Sequence, residues 1–420
     1  MTCRYAIRSV ADSAPRMFHN LLHNFFIANG FTVNAHEPCL YHKWVDGHPI
    51  LCLVHVDDGI LVGTRLLVDQ LKADVRKHFN TKELGALGLD PEGKPSLLLG
   101  MEIIRTESEF QIRQTGLIDI LVKKCGNELN SIPHEKVPMR DIRLDSSSCP
   151  TTPAEKAKMK LKPFRSHLGV VGYLMLASRN ECPFAYKCLS RFNDTYGEDH
   201  WQALLRLIAY LKKTRDTHYL CISKYGGFAL AAYCDSDFNG CMDTHTSTTG
   251  WIVFLGGCPI SWASRLQRAV ARSTAESEFL AMSSCAHEVV YLKMLVASLR
   301  IPESIAEVYC NDKSRYENPS DPRTDFTTAV KIFSDSTAAV AQAKKPEHWI
   351  LDKMRHVRTA FFWFKQYVRD AVLRLMLVSG HDNPADLYTK GFGAPGSTAA
   401  NQRAEVFQRH ADFCAGRRHH

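Results

Sequence analysis

The chain has 420 residues and a mass of 47.4 kDa, room for two or three domains that each bury a core. With 45% hydrophobic and 23% charged residues it is neither fibrous nor a disordered polyelectrolyte, and its fourteen cysteines, lacking CxxC pairs or a zinc-ligand rhythm, are expected to be reduced core thiols. A formal charge of +8 and a pI near 8.7 suit a polyanionic partner without demanding one.

From Pro15 to Gly30 the pattern predicts a helix with Phe18, Leu21, Leu22, Phe25 and Phe26 on its apolar side. Asn34 to Lys43 leads into a strand. Pro49-Ile-Leu-Cys-Leu-Val-His-Val56 and Ile60-Leu-Val-Gly63 are apolar strands joined through Asp57-Asp58-Gly59, a hairpin with two carboxylates at its tip. A DG pair is common in plain surface hairpins and carries little weight alone.

Residues 106–226 predict helices at Thr115 to Lys124 and Pro163 to Met175, separated by a polar stretch from Asn130 to Pro153 with four prolines. Trp201 to Lys213 is an amphipathic helix whose Leu204, Ile208 and Leu211 recur at helical spacing. Arg206, Lys212 and Lys213 project elsewhere and could track a phosphate backbone. A solvated face is the commoner role for any one of them.

Phe228-Ala-Leu-Ala-Ala-Tyr-Cys234 reads as a strand that stops at Asp235 in a polar turn running to Gly240. Thr249-Gly-Trp-Ile-Val-Phe-Leu255 and Pro259-Ile-Ser-Trp-Ala263 flank Gly256-Gly257 as a hairpin. Ser273-Thr-Ala-Glu276 is a capping box that opens a helix running to Leu299. Residues two apart on a helix point about 200° apart, so Glu276 and Glu278 cannot serve one site. Glu276 is read as a cap. Glu278 shares its face with Ala281, Met282, Cys285 and Val289, and a carboxylate aimed at an apolar face needs a cation or a proton. Further on, Val330-Lys-Ile-Phe-Ser334 ends at Asp335 before a helix, and Leu373 to Val378 ends near His381. Asn383-Pro384-Ala-Asp386 looks like an N-cap, a first-turn proline and a first-turn acid. Each acid alone would be taken for a cap. Four in one strand-rich segment suggest hard-cation chemistry, because divalent ions want several carboxylate oxygens from different elements, and two ions about 4 Å apart serve phosphodiester cleavage.

Tyr233-Cys-Asp-Ser-Asp-Phe-Asn-Gly240, Thr246-Ser-Thr-Thr-Gly-Trp251, Ile260-Ser-Trp262, Ser273-Thr-Ala-Glu-Ser-Glu-Phe279 and Ala385-Asp-Leu-Tyr-Thr-Lys390 resemble the ribonuclease H domain of copia-type retrotransposon polyproteins, in the expected order. The resemblance implies that Asp235, Glu278, Asp335 and Asp386 are the catalytic, metal-binding carboxylates, holding two Mg²⁺ ions or Mn²⁺ in their place. It also implies an RNA–DNA hybrid as partner, alongside other parts of the polyprotein or a second copy. Lys353-Met-Arg-His-Val-Arg358 resembles the family's basic helix, which adds Arg355 and Arg358 to the nucleic-acid contacts, and His381 is a possible accessory residue that an ordinary surface histidine explains as well. Upstream, Ala14-Pro-Arg16, Glu37-Pro-Cys-Leu-Tyr41, His55-Val-Asp-Asp58, Lys82-Glu-Leu-Gly85 and Leu98-Leu-Gly-Met-Glu102 are similar to landmarks of a copia-type reverse transcriptase palm, with Asp57 and Asp58 as its metal-binding pair. His55 stands where that family usually has Tyr, and Ser9 to Asp12 look inserted. The family's third metal-binding Asp precedes the stretch matched here, so no polymerase activity is expected from this chain alone.

The expected architecture is a multidomain α+β, α/β chain. It has a truncated palm at 1–105, a helical thumb or connection at 106–226, and a ribonuclease H-like mixed five-stranded sheet with flanking helices at 227–392. Residues 393–420 are expected to form a disordered tail, residues 300–329 an insertion, and Asp312 within it a decoy for Asp335. No run of about 18 apolar residues and no signal peptide is seen, so an intracellular place in cytoplasm or nucleus, away from membranes, is expected. Three functions stay open: a ribonuclease H-type nuclease, a non-catalytic remnant that binds nucleic acid, and, last, an RNA-directed DNA polymerase.

Overall fold

The computed structural model describes residues 2–8, 15–88, 94–133, 135–140, 144–224, 226–227, 229–300, 329–345, 358–392 and 405. The proposed insertion at Ser9 to Asp12, the decoy Asp312, Arg355 and all of the tail except Glu405 lie outside these residues. The chain divides into two compact units, Met1–Phe110 with Tyr291–Val308, and Gln111–Val290 with Tyr309–His420.

In the first unit, β1 (Thr2–Arg8), α1 (Pro15–Ala28), β2 (Thr32–Val33), β3 (Leu40–Val45), β4 (His48–His55), β5 (Asp58–Gly63), α2 (Arg65–His78) and β6 (Asn80–Ala86) follow in order. The strands form one six-stranded sheet ordered β2-β3-β4-β5-β1-β6, with antiparallel neighbours. Alternation puts Ile50, Cys52 and Val54 on the buried face, where they join Phe18, Leu22, Phe25 and Phe26 of α1 and Val68, Leu71 and Val75 of α2. Thr64 starts α2 by accepting from the amide of Leu67. A short antiparallel pair, β7 (Ser96–Leu98) and β8 (Met101–Arg105), comes next.

After β9 (Glu109–Arg113), the second unit begins with helices α3 (Thr115–Cys125), α4 (Pro153–Lys160), α5 (Phe164–Ala177), α6 (Pro183–Ser190) and α7 (Glu198–Lys213). The stretch expected to be a helical thumb or connection also holds two short strands, β9 and, after α7, β10 (Leu220–Ser223). Directly after the polar stretch comes the unexpected α4, opened by a capping box between Thr152 and Glu155. Then come β11 (Leu230–Asp237), β12 (Thr248–Leu255), β13 (Cys258–Leu266), α8 (Thr274–Ser298), β14 (Val330–Ser334), α9 (Thr337–Lys344), α10 (Arg358–Arg369) and β15 (Leu373–Leu377). Their five-stranded sheet runs β13-β12-β11-β14-β15, antiparallel across the first three strands and parallel across the rest.

Helices and sheet share one core. Leu168, Val171, Trp201, Leu204 and Ile208 cluster with Ile252 and Phe254 of β12 and with Leu387, Tyr388 and Phe392 from the end of the chain. Trp262 Nε1 donates to Met175 O at 2.8 Å, and Lys187 Nζ to Thr248 Oγ1 at 3.0 Å. By length and composition α8 is apolar enough to cross a membrane. Its Phe279, Ala281, Met282, Cys285, Ala286 and Val289 are fully buried, however, and Phe279 meets Phe364 edge to face at 5.5 Å. Its apolarity is that of a core helix.

Candidate metal centre

Three elements deliver one carboxylate each. β11 does not stop at Asp235 as its composition suggested; it keeps pairing with β12 through Asp237, with Asp235 opposite Gly250. A Cβ on Gly250 would stand 2.6 Å from Thr389 Cγ2 and 2.7 Å from Tyr388 Cβ, so only glycine lets the closing turn of the chain settle against this part of β12. Asp335 follows the last residue of β14, and Ser336 caps α9 by accepting from Ala339 N at 3.3 Å. On α8 the two glutamates part company. Ser273 Oγ accepts from Glu276 N at 3.2 Å and Glu276 Oε2 accepts from Arg272 N at 3.0 Å, which closes the helix start. Glu278 turns to the other face.

One oxygen from each of Asp235, Glu278 and Asp335 lies within 4.8 Å of the others, and among the described residues this is the one such group of three or more acid, histidine or cysteine side chains. Asp235 is 1% and Glu278 5% exposed. Glu278 Oε2 is buried with no hydrogen-bond partner. Burial, then Asp235 and Asp335, push the Glu278 carboxyl up to about 9, with Lys390 and the Ser236 backbone opposing. Burial and Asp235 likewise raise the Asp335 carboxyl. Such oxygens, crowded and desolvated, want a cation. All are hard donors, the kind that Mg²⁺ and Mn²⁺ take, so the residues present fit a divalent ion.

Asp386 stands outside that triad but next to it. Asn383-Pro384-Ala-Asp386 forms a short 3-10 turn, Pro384–Tyr388, in place of the expected α-helix. Asn383 is fully buried; its Nδ2 donates to Cys234 O at 3.0 Å while its Oδ1 accepts from Ala385 N at 3.1 Å. That clamp anchors the turn on β11, one residue before Asp235. Thr389 Oγ1 donates to Asp235 Oδ2. Lys390 Nζ lies 2.6 Å from Asp386 Oδ1 and 3.3 Å from Asp235 Oδ2. Burial alone would lower the Lys390 pKa, but the carboxylates of Asp235 and Asp386 outweigh it and hold the ammonium charged.

No protein-family model matches the chain. It is 29% identical over 383 residues to a retrovirus-related Pol polyprotein from transposon TNT 1-94 of Nicotiana tabacum, over 90% of this chain and 26% of that protein. The retrovirus-related Pol polyprotein from transposon RE1 of Arabidopsis thaliana is 26% identical over 379 residues, covering 90% of this chain and 23% of the relative. Over 90% of its length the chain is similar to the retrovirus-related Pol polyproteins of copia-type transposons. It spans about a quarter of the length of these relatives. Among solved structures, a foamy viral protease-reverse transcriptase in complex with double-stranded DNA aligns with a TM-score of 0.45 and 11% identity, over 90% of this chain and 56% of that one.

The remaining Pol residues singled out in the sequence lie as follows. Asp57 is exposed and Asp58 half-buried at the β4–β5 turn, where His55 pairs with Asp58 and Val56 holds φ +56°. Arg206 is half-buried in α7, and Lys212 and Lys213 are exposed in its last turn. Arg358 is the first residue of α10. His381 is exposed, its Nδ1 3.5 Å from Asp382 Oδ1 and its Nε2 3.4 Å from Glu405 Oε2. Sequence reasoning passed over Gly250, Thr389 and Lys390 as individual residues and read Asn383 only as an N-cap, which it is. The only local signal for Thr389 and Lys390 is their place beside Asp386 in the Ala385-to-Lys390 motif.

Proposed function

We propose that residues 227–392 form a ribonuclease H-type nuclease that hydrolyses the RNA strand of RNA–DNA hybrids. The observation that carries this reading is the buried, partnerless Glu278 Oε2 facing Asp235 and Asp335. A mixed sheet with its first three strands antiparallel agrees with it. Asp235, Glu278, Asp335 and Asp386 would hold two Mg²⁺ ions, with Mn²⁺ able to replace them. Divalent ions there supply an acidified attacking water and charge stabilisation for a departing 3′ oxygen. The chain's own part is to desolvate and orient these oxygens: Thr389 fixes Asp235 by its hydroxyl, and Asn383 fixes the turn that carries Asp386. Preference for RNA would come from 2′-hydroxyl contacts and hybrid shape. Lys212, Lys213, Arg206 and Arg358 are assigned to the phosphate backbone, the three divisions 1–105, 106–226 and 227–392 to palm, connection and nuclease, and Asp57 and Asp58 to a polymerase-type metal-binding pair.

The test is cleavage of an RNA–DNA hybrid by the purified chain with Mg²⁺ and with a chelator. RNA-strand cleavage that needs the ion is expected. Hybrid binding without cleavage at any Mg²⁺ or Mn²⁺ concentration would replace this reading with that of a non-catalytic remnant.

A further inference from the structure

Lys390 is part of the centre, yet its ammonium is a cation already seated among the carboxylates that a divalent ion would need. Its Nζ is 2.6 Å from Asp386 Oδ1 and 3.3 Å from Asp235 Oδ2, so it bridges the fourth acid to the triad. Asp235 Oδ2 also receives the Thr389 hydroxyl. On the other side of Asp235 the situation is reversed: Glu278 Oε2 has no partner at all. Lys390 thus makes its direct contacts with Asp386 and Asp235 and acts on Glu278 and Asp335 only through its charge, while Glu278 Oε2 goes unbonded.

We infer that Lys390 gates the second metal: it competes with a divalent ion for Asp235 and Asp386, and must leave them before Asp386 can ligate. This rests on the proposed two-metal reading. The Glu278–Asp335 side then takes the first ion without rearrangement, and the second enters only as the ammonium withdraws. Lys390 has somewhere to go, because its side chain is 28% exposed and long enough to swing toward solvent. A phosphate of the nucleic-acid backbone is the natural acceptor for it, since Lys binds phosphate as a point charge. Arrival of substrate and completion of the metal pair are thereby linked.

The first readout uses the unmutated full chain and no catalysis. Reductive methylation of Lys390, followed by mass spectrometry, should show the residue protected without divalent ions. Titration with Mn²⁺ or Mg²⁺ should raise its labelling at least about threefold, at concentrations above those that fill the first site. Calorimetric titration with Mn²⁺ supplies the second readout. Lys390→Met should tighten the weaker binding event by at least about tenfold, since a unit charge a few ångströms away is removed, whereas Lys390→Arg should leave it weak. Labelling that ignores the metal, or Lys390→Met binding unchanged or weakened, overturns the gate. If the unmutated chain binds no divalent ion, the two-metal reading falls and the gate with it; if it binds ions while Lys390 stays protected, only the gate falls. Should Lys390→Met fail to fold, the labelling experiment decides alone.

Discussion

Asp57 and Asp58 are neighbours in the chain, while Asp235, Glu278 and Asp335 come from two strands and a helix, yet the scattered set forms the centre. Asp57 lies in the β4–β5 turn and Asp58 opens β5. Asp57 stays in water, so little drives a cation to it. In the scattered set, Asp235 lies inside a paired strand, Glu278 on the buried face of α8 and Asp335 at a strand end. Their oxygens converge in a buried place, and Glu278 Oε2 is left without a hydrogen-bond partner. The contrast teaches that a carboxylate cluster becomes suited to a divalent ion through desolvation and convergence, not through proximity in sequence.

The largest effect should separate the two acid sets directly. Asp235→Asn keeps the shape and removes a charge, and should slow hybrid cleavage by at least about a hundredfold. Asp57→Asn should leave the rate within about twofold and the stability within about 0.5 kcal/mol. Full-rate cleavage by Asp235→Asn would break the assignment.

Next in size is the split between the two glutamates of α8. Glu276→Ala loses a cap and should cost about 1–2 kcal/mol in denaturant unfolding. If that variant instead lost divalent-ion binding while keeping its stability, the division of roles would be reversed.

Burial also distinguishes the histidines. His55 is exposed beside the hairpin acids, whereas His167 is 2% exposed, neither ring nitrogen has a partner, and Trp201 lies 5.7 Å away. Burial, helped by Lys124 and opposed by Glu128, lowers the His167 pKa, and burial likewise lowers that of His200. A depressed histidine stabilises the fold above its unfolded pKa, about 6.5, and that stability is lost as the pH falls. Unfolding midpoints should therefore drop from pH 7 to pH 5. His167→Leu should flatten that drop and add about 1 kcal/mol at pH 7 by removing unpaired polar atoms.

The smallest effect belongs to the hairpin backbone. Val56 is a β-branched residue in the left-handed region, φ +56°, where Asn is far better tolerated. Val56→Asn should stabilise the first unit by about 1 kcal/mol, read by chemical denaturation, and leave hybrid cleavage unchanged.

Much of this was legible in the chain before any coordinates. Helical period separated Glu276 from Glu278, because 3.6 residues per turn send them to opposite sides; apolar runs marked β4, β12 and β14; and the Ser273–Glu276 box marked the start of α8. Other signals were present and passed over, notably the Thr152–Glu155 capping box of α4 and the spacing of Leu67, Val68, Leu71 and Val75 in α2.

What the sequence by itself determined is local: which segments have strand or helix period, where they are capped, and which face each acid takes. Those features depend on neighbours within a turn or two. Tertiary structure decided the rest. It extended β11 past Asp235, since the strand's continuation depends on pairing with β12 rather than on its own polar composition. It merged the helices of 111–226 with the five-stranded sheet in one core. It also set Lys390 against Asp235, a partner 155 positions away, and left Asp386 bridged to the triad instead of within it. Contacts at that separation arise from packing and have no period along the chain to announce them.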